Sequence, residues 1–277
     1  MLRDTEPILV SDHSPALLDA LLNLLRSLTE EEWQRPVHGG EWTVKDLAQH
    51  LLGDEINILS GKRDRFSETF APIHAWDDLI ALINHRNAVW VEATRRMSLR
   101  VIMELLRITG DQANEHFRQV DPFATGGPVN WAGPDPAPAW LDVAREFTER
   151  WHHQQHIRDA VAKPGATGSE FLAPVLAAFT RALPVTFHGV NAPPGTTVTL
   201  KISGPAGSTW TVVRQTDDWR LYQGATDAPQ AVVELPEDTT WRLFTKGITP
   251  AQARGKATLS GDPTLGERVL ETVSILA

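Results

Sequence analysis

Three histidines and two glutamates crowd one helical stretch, REFTERWHHQQHIRDAVA at residues 145–162. Glu149 and His153 stand four apart, and so do His152 and His156. Residues at i and i+4 share a face of an α-helix one turn apart, so either pair presents two donors to one metal ion. Helical HExxH zinc sites use the same geometry, although that motif is absent here. A third donor has to come from another element, and His50, inside a second helical stretch, is the best candidate. Asp54, one turn later, is a candidate acceptor for an imidazole N–H behind the ligands. A His/Glu/His set leaves an open coordination position, the mark of a catalytic rather than a structural site. Water in that position is acidified toward a pKa of about 7, an incoming thiol binds as thiolate, and a carbonyl oxygen is polarised. Arg158 is suited either to an anionic substrate or to the negative end of its own helix.

A plainer reading competes with this one. At about 100° per residue, Trp140, Ala144, Phe147 and Trp151 form an apolar seam, with Glu149, His153 and His156 roughly opposite. If the opposite face is solvent, Glu149 and His153 are a surface pair contributing roughly a few tenths of a kcal/mol. A lone core histidine is likewise more often a satisfied hydrogen-bonding group than a ligand. Against this, His50 falls on one face with Leu47, Leu51 and Asp54, so a polar ring sits among core positions of a separate helix. Two such coincidences are harder to dismiss than one.

Composition narrows the chemistry. The chain has 277 residues, 42% hydrophobic and 22% charged, with a net charge of -9 and no cysteine. A strongly acidic balance argues against nucleic acid, which needs a basic face to neutralise phosphates. Without cysteine there are no disulfides, thiolate ligands or cysteine nucleophile. Any metal must take imidazole, carboxylate or carbonyl donors, which suits zinc, nickel, manganese or iron. Any thiol must arrive on a small molecule. The apolar runs are far shorter than a membrane span, and residues 2–10 lack a charged-then-apolar leader, so a cytoplasmic protein without a membrane partner is expected.

The elements that must position these groups can be read in order. Ser14 is a cap for a helix over 15–28 with a broad leucine stripe. A loop with Pro36, Gly39 and Gly40 follows. Thr43 to Asp46 reads as a capping box, with Asp in place of Glu, opening a helix to about residue 59. Helices are expected over 75–97 and 99–117, the latter weakened by Gly110. A Pro/Gly-rich loop with Trp131, a candidate lining of the substrate path, leads into the His-rich helix from about Pro138. Four long helices suggest an up-down bundle. A break at 163–168 marks the boundary, giving domains 1–166 and 167–277. After one more helix, 169–183, the period changes to that of strands, at 197–203, 209–214, 219–223 and 231–235. A short helix over 237–246, a strand at 257–260 and a closing helix over 263–276, capped by Asp262, complete a smaller α+β domain.

The segments WTVKDLAQHLLGDE (42–55) and ERWHHQQHIRDAV (149–161) resemble the DinB-like superfamily, and within it the branch containing the mycothiol-dependent maleylpyruvate isomerases. TWRLFTKG (240–247) and LSGDPTLGERVL (259–270) resemble the sterol-carrier-protein-like domain that follows the bundle in that branch. The resemblance implies a four-helix bundle holding a divalent metal, often zinc, through His50, Glu149 and His153. Other DinB-like proteins use a His-x-x-x-His pair, which selects His152 and His156 instead. It also implies mycothiol or another low-molecular-weight thiol as cofactor, acting on a small electrophilic substrate in a transferase or isomerase reaction. The isomerases rely on an arginine of the second domain, for which Arg242 and Lys246 are the nearby cations. A metal-dependent hydrolase and a non-catalytic ligand carrier or sensor are the competing functions. The expected partners are the substrate and the thiol, in a monomer or homodimer.

Overall fold

A computed structural model describes residues 1–37, 42–66, 76–133 and 136–275, with only the backbone of Trp76. The expected glycine loop at Gly39 and Gly40, and the helix limits at 75 and 276, lie outside these residues. The chain divides into two compact units. One comprises residues 10–121 and 146–167 and is helical; the other takes 1–9, 122–145 and the chain from Gly168 onward. The sequence reading divides the chain once, at 166, whereas these units interleave along it.

In the helical unit, α1 (Ser14–Arg26) buries Leu17, Leu18, Leu21, Leu22, Leu24 and Leu25. Ser14 is not its cap: His13 takes that position, and the Ser14 hydroxyl donates to the Val10 carbonyl at 3.1 Å. A short α2 (Glu30–Trp33) follows. The capping box forms as expected at α3 (Val44–Asn57), where Thr43 accepts from the Asp46 N–H and the Asp46 carboxylate accepts from the Thr43 N–H. The helix then widens into a π-helical turn over Ile58–Arg63. Next come α4 (Trp76–Thr94) and α5 (Leu99–Gln119). Gly110 does not interrupt α5; a Cβ there would meet Leu18 Cδ2 at 2.7 Å, so the glycine lets α1 and α5 approach. Finally, α6 (Ala139–Val161) gives its first turns to the other unit and the remainder to this one. Leu18, Leu21, Trp33, Leu47, Leu51, Leu106 and Ile157 are among the core, each such side chain contributing about 1.5–3 kcal/mol on burial.

Helix α3 is pinned to α4 by a close approach. The Trp90 indole donates to the Gln49 carbonyl at 2.7 Å, and a Cβ on Gly53 would lie 2.8 Å from Trp90 Nε1. A glycine in a helix interior costs about 1 kcal/mol relative to alanine; here it makes room for the ring.

The other unit contains one mixed sheet among the described residues. Its strands are β1 (Arg3–Asp4), β2 (Thr197–Ser203), β3 (Thr209–Arg214), β4 (Trp219–Gln223), β5 (Ala231–Pro236) and β6 (Thr258–Gly261), in spatial order β1-β4-β3-β2-β5-β6. Only β2 and β5 run parallel; the other pairs are antiparallel. The edge strand β1 has no counterpart in the sequence reading, because two residues carry no periodicity. Between α6 and β2 stand α7 (Ser169–Phe179), a 3-10 turn and α8 (Leu183–Thr186). After β5 come α9 (Glu237–Phe244), α10 (Pro250–Arg254) and α11 (Pro263–Val269), the last shorter than expected and capped by Asp262. Trp131 is buried with its ring 6.3 Å from that of Phe179, both within this unit. No helix of the described residues is long and apolar enough to cross a membrane.

Candidate metal centre

His50 and Asp54 lie one turn apart on α3, and Glu149 and His153 one turn apart on α6. His50 is buried because its face of α3 also carries Leu47 and Leu51, which belong to the core. The two imidazoles meet edge to face, ring centroids 4.7 Å apart, with His50 Nε2 3.2 Å from His153 Nε2. Each nitrogen also has a carboxylate oxygen nearby: Asp54 Oδ2 lies 3.2 Å from His50 Nε2, and Glu149 Oε2 lies 3.3 Å from His153 Nε2.

An imidazole nitrogen has one in-plane lone pair or one N–H. Each Nε2 here faces two partners at nearly equal distance. The three separations are those of neighbouring donors around one cation. With metal–nitrogen and metal–oxygen bonds of about 2.0–2.2 Å, tetrahedral donors sit ~3.3 Å from one another. The residues therefore fit a divalent metal. Side-chain exposure rises from 8% at His50 and 17% at His153 to 27% at Asp54 and 28% at Glu149. The face is neither a freely solvated helix surface nor a closed core.

Burial pushes the His50 imidazolium down to about 3; His153 adds to the shift and Glu149 opposes it. His50 is therefore a neutral ring at ordinary pH, with a lone pair free of proton competition. Asp54 lies beside the His50 ring, one turn on, as expected. It reaches the same nitrogen that meets His153, not the other nitrogen of the ring.

Around this set, the Trp42 ring lies 5.2 Å from His50 and tilts over it. Trp42 also borders an open groove of about 630 Å³ with Ala88, Val89 and Val91 of α4. A narrow cleft of about 10 Å³, space for about one water, is lined by Asp54, Glu55, Glu146, Glu149 and Arg150 among others. His152, His153 and His156 bring nitrogen atoms within 4.8 Å of one another, with the His152 and His156 rings 4.1 Å apart. Two donor groupings thus share His153.

Of the three candidate cations, Arg158 and Arg242 are held by other partners. Arg158 is half-buried, and its five N–H groups reach Gln154 Oε1 twice and the carbonyls of Ala20, Lys163 and Pro164. It closes the end of α6 against α1, and burial lowers its pKa. Arg242 belongs to the sheet unit, where its Nε donates to Asp238 at 3.0 Å and its guanidinium covers the Trp241 ring at 4.2 Å. Lys246 follows α9 in the left-handed region, φ 58°, its N–H donating to the Leu243 carbonyl.

One structural group escaped the sequence reading. Arg150, next to Glu149, is buried and donates through Nε to Glu55 Oε1 at 2.9 Å, with a second, shorter bond from Nη2. Its Nη1 donates to Asn114 Oδ1 at 3.0 Å and to the Ser14 carbonyl at 3.2 Å. A signal was present in the pattern: Arg150 interrupts the buried stripe of Phe147, Gln154, Ile157 and Val161 at helical spacing.

Helical region and mixed sheet together define a known fold. A crystal structure of the mycothiol-dependent maleylpyruvate isomerase, and one of a histidine-to-alanine mutant, each align over 90% of this chain and 91% of theirs, with TM-score 0.53 and 12% identity. At that identity the likeness is one of fold. Residues 15–158, just over half of the chain, match the family described as the mycothiol maleylpyruvate isomerase N-terminal domain, and the chain belongs to this family. No curated protein matches it in sequence.

Proposed function

We propose that this chain is an isomerase or transferase dependent on a small thiol, acting on a small electrophilic substrate at a divalent metal held by His50, Glu149 and His153. The observation that carries the reading is the approach of two imidazole Nε2 atoms to 3.2 Å from different helices, each flanked by a carboxylate. Zinc suits this donor set, as do nickel, manganese and iron. Bound there, the metal supplies positive charge that keeps a thiol ionised near neutral pH. Mycothiol, named for the structural relatives, is the leading thiol, and the absence of cysteine leaves the chain dependent on an external one.

The chain's own residues would bind and orient. Neutral His50 offers its lone pair without releasing a proton. The Asp54 carboxylate, beside that nitrogen, is suited to accept a hydrogen bond from an arriving S–H. Trp42 and the groove along α4 would take the apolar body of a substrate and exclude water from the ring beneath. Arg158, Arg242 and Lys246 are assigned no step. We read the helical unit as an up-down four-helix bundle of the DinB-like kind, the sheet unit as sterol-carrier-protein-like, and the protein as a cytoplasmic monomer or homodimer.

Elemental analysis of the purified protein tests the centre. His50→Ala and His153→Ala should each remove stoichiometric metal, while His152→Ala should retain it; unchanged metal in the first two sinks the reading. The clustering of His152, His153 and His156 favours one alternative frame, and a loss with His152→Ala as large as with His153→Ala would select it. Titrating a small thiol into the metal-loaded protein separates thiol chemistry from hydrolysis, since a hydrolase would take up no thiol and would cleave esters or amides.

A further inference from the structure

We infer that the buried Arg150–Glu55 pair is the positioning device of the metal centre: it sets the register of α6 against α3 so that His50 and His153 meet. This rests on the donor set proposed above. Both side chains of the pair are 6% exposed. Glu55 follows Asp54 directly, and Arg150 follows Glu149 directly, so the ion pair forms a second bridge between the two helices, beside the donors. The guanidinium is anchored on two further sides, by Asn114 of α5 and by the carbonyl of Ser14 at the start of α1. One side chain thereby ties four helices of the unit.

The need for such a tie follows from tolerances. A helix advances about 1.5 Å per residue, whereas metal–ligand distances hold to about 0.2 Å. A slide of α6 by a fraction of one residue would separate the two nitrogens beyond a shared cation. Leucine packing alone leaves such sliding inexpensive, because apolar contact has no direction. A charged fork bonded to a carboxylate, an amide and a carbonyl does have direction. Glu55 Oε2 and Asn114 Nδ2 remain buried without a protein partner, so the pair is not arranged for maximal stability. Its retention is better explained by position.

The test is the double variant Arg150→Met, Glu55→Met, which removes both charges together and so leaves neither one stranded in the core. Circular dichroism should report an intact helical fold. Zinc affinity, measured by competition with a chelator, should fall about 10–100-fold, the range for groups that orient ligands. The visible spectrum of the cobalt(II)-loaded protein should change with it, a signature that lost stability alone would not produce. Wild-type affinity and an unchanged cobalt spectrum in the folded double variant overturn the inference. If that variant does not fold, Asn114→Ala removes one anchor, and a smaller loss of affinity is expected, with no loss counting against the idea. Should the wild-type protein, or His50→Ala, show the donor set itself to be wrongly assigned, the crystal structure of the double variant still decides. Widening of the His50–His153 separation supports the positioning role, and an unchanged 3.2 Å refutes it.

Discussion

The two units bury very different polar groups. In the sheet unit nearly all of them are hydroxyls: Thr180, Thr196, Thr197, Thr199, Thr211, Thr239, Thr240, Thr245, Thr272 and Ser274, with Asp142 the exception. They are satisfied locally, as where Thr199 meets Thr211 at 2.9 Å and Thr211 donates to the Gly224 carbonyl at 2.8 Å. The helical unit buries the hydroxyls of Ser14, Thr94 and Thr148 too, but adds Asp46, Gln49, His50, Glu55, Asn114, Arg150, His152, Gln154 and Gln155. A buried hydroxyl on a nearby carbonyl is close to neutral for stability, whereas a buried charge or imidazole is costly unless paired. The costly groups are therefore concentrated in the helical unit, where the candidate metal centre also lies.

The sharpest challenge to this contrast is Arg150→Ala, which leaves the Glu55 carboxylate buried and unpaired. Urea unfolding should show a loss of about 3–5 kcal/mol. A loss below 1 kcal/mol would erase the distinction between the units. Acid provides the next largest effect. The folded pKa of His50 lies near 3, below its ordinary 6.5. In that window the unfolded chain binds a proton that the native ring refuses. Metal-free protein should keep this contribution above pH 6.5 and lose it as pH falls, by up to about 1.4 kcal/mol per pH unit. His50→Gln should flatten the slope, and an equal slope would show that other groups govern it.

Gly53→Ala asks about packing without charge. Its Cβ would press on an indole that is held by hydrogen bonding, at 2.8 Å. After the gain in helix propensity, a net loss of about 1–2 kcal/mol is expected in thermal melts. Thr199→Val in the sheet unit should be mildest, about 1 kcal/mol or less, because Thr211 keeps its bond to Gly224. If the threonine costs as much as the arginine, the units do not differ in the way described.

What could be read from the sequence follows the range of the forces. Local signals gave firm answers. The Thr43–Asp46 box opens α3, the alternation in TVTLKIS and TWTVVR gives β2 and β3, and Asp262 caps α11. His50 was legible as a polar ring on a buried stripe, and Glu149 with His153 as an i,i+4 pair. What escaped depended on partners distant in the chain. Arg150 reads as an ordinary helix cation until Glu55 is found 95 residues away. β1 gains meaning only from β4, and Gly110 only from Leu18. Asp54 was legible as a neighbour of His50, because helix spacing fixes which turn a side chain shares; which ring nitrogen it reaches is not fixed that way.

The interleaved units have a consequence for how this protein can be divided. A single cut near residue 166 would release a C-terminal fragment without strand β1, stripping the sheet of one border, and would leave the first turns of α6 attached to the wrong piece. Either half expressed alone should therefore be less stable than its unit in the whole chain, which thermal melts of the two fragments would measure.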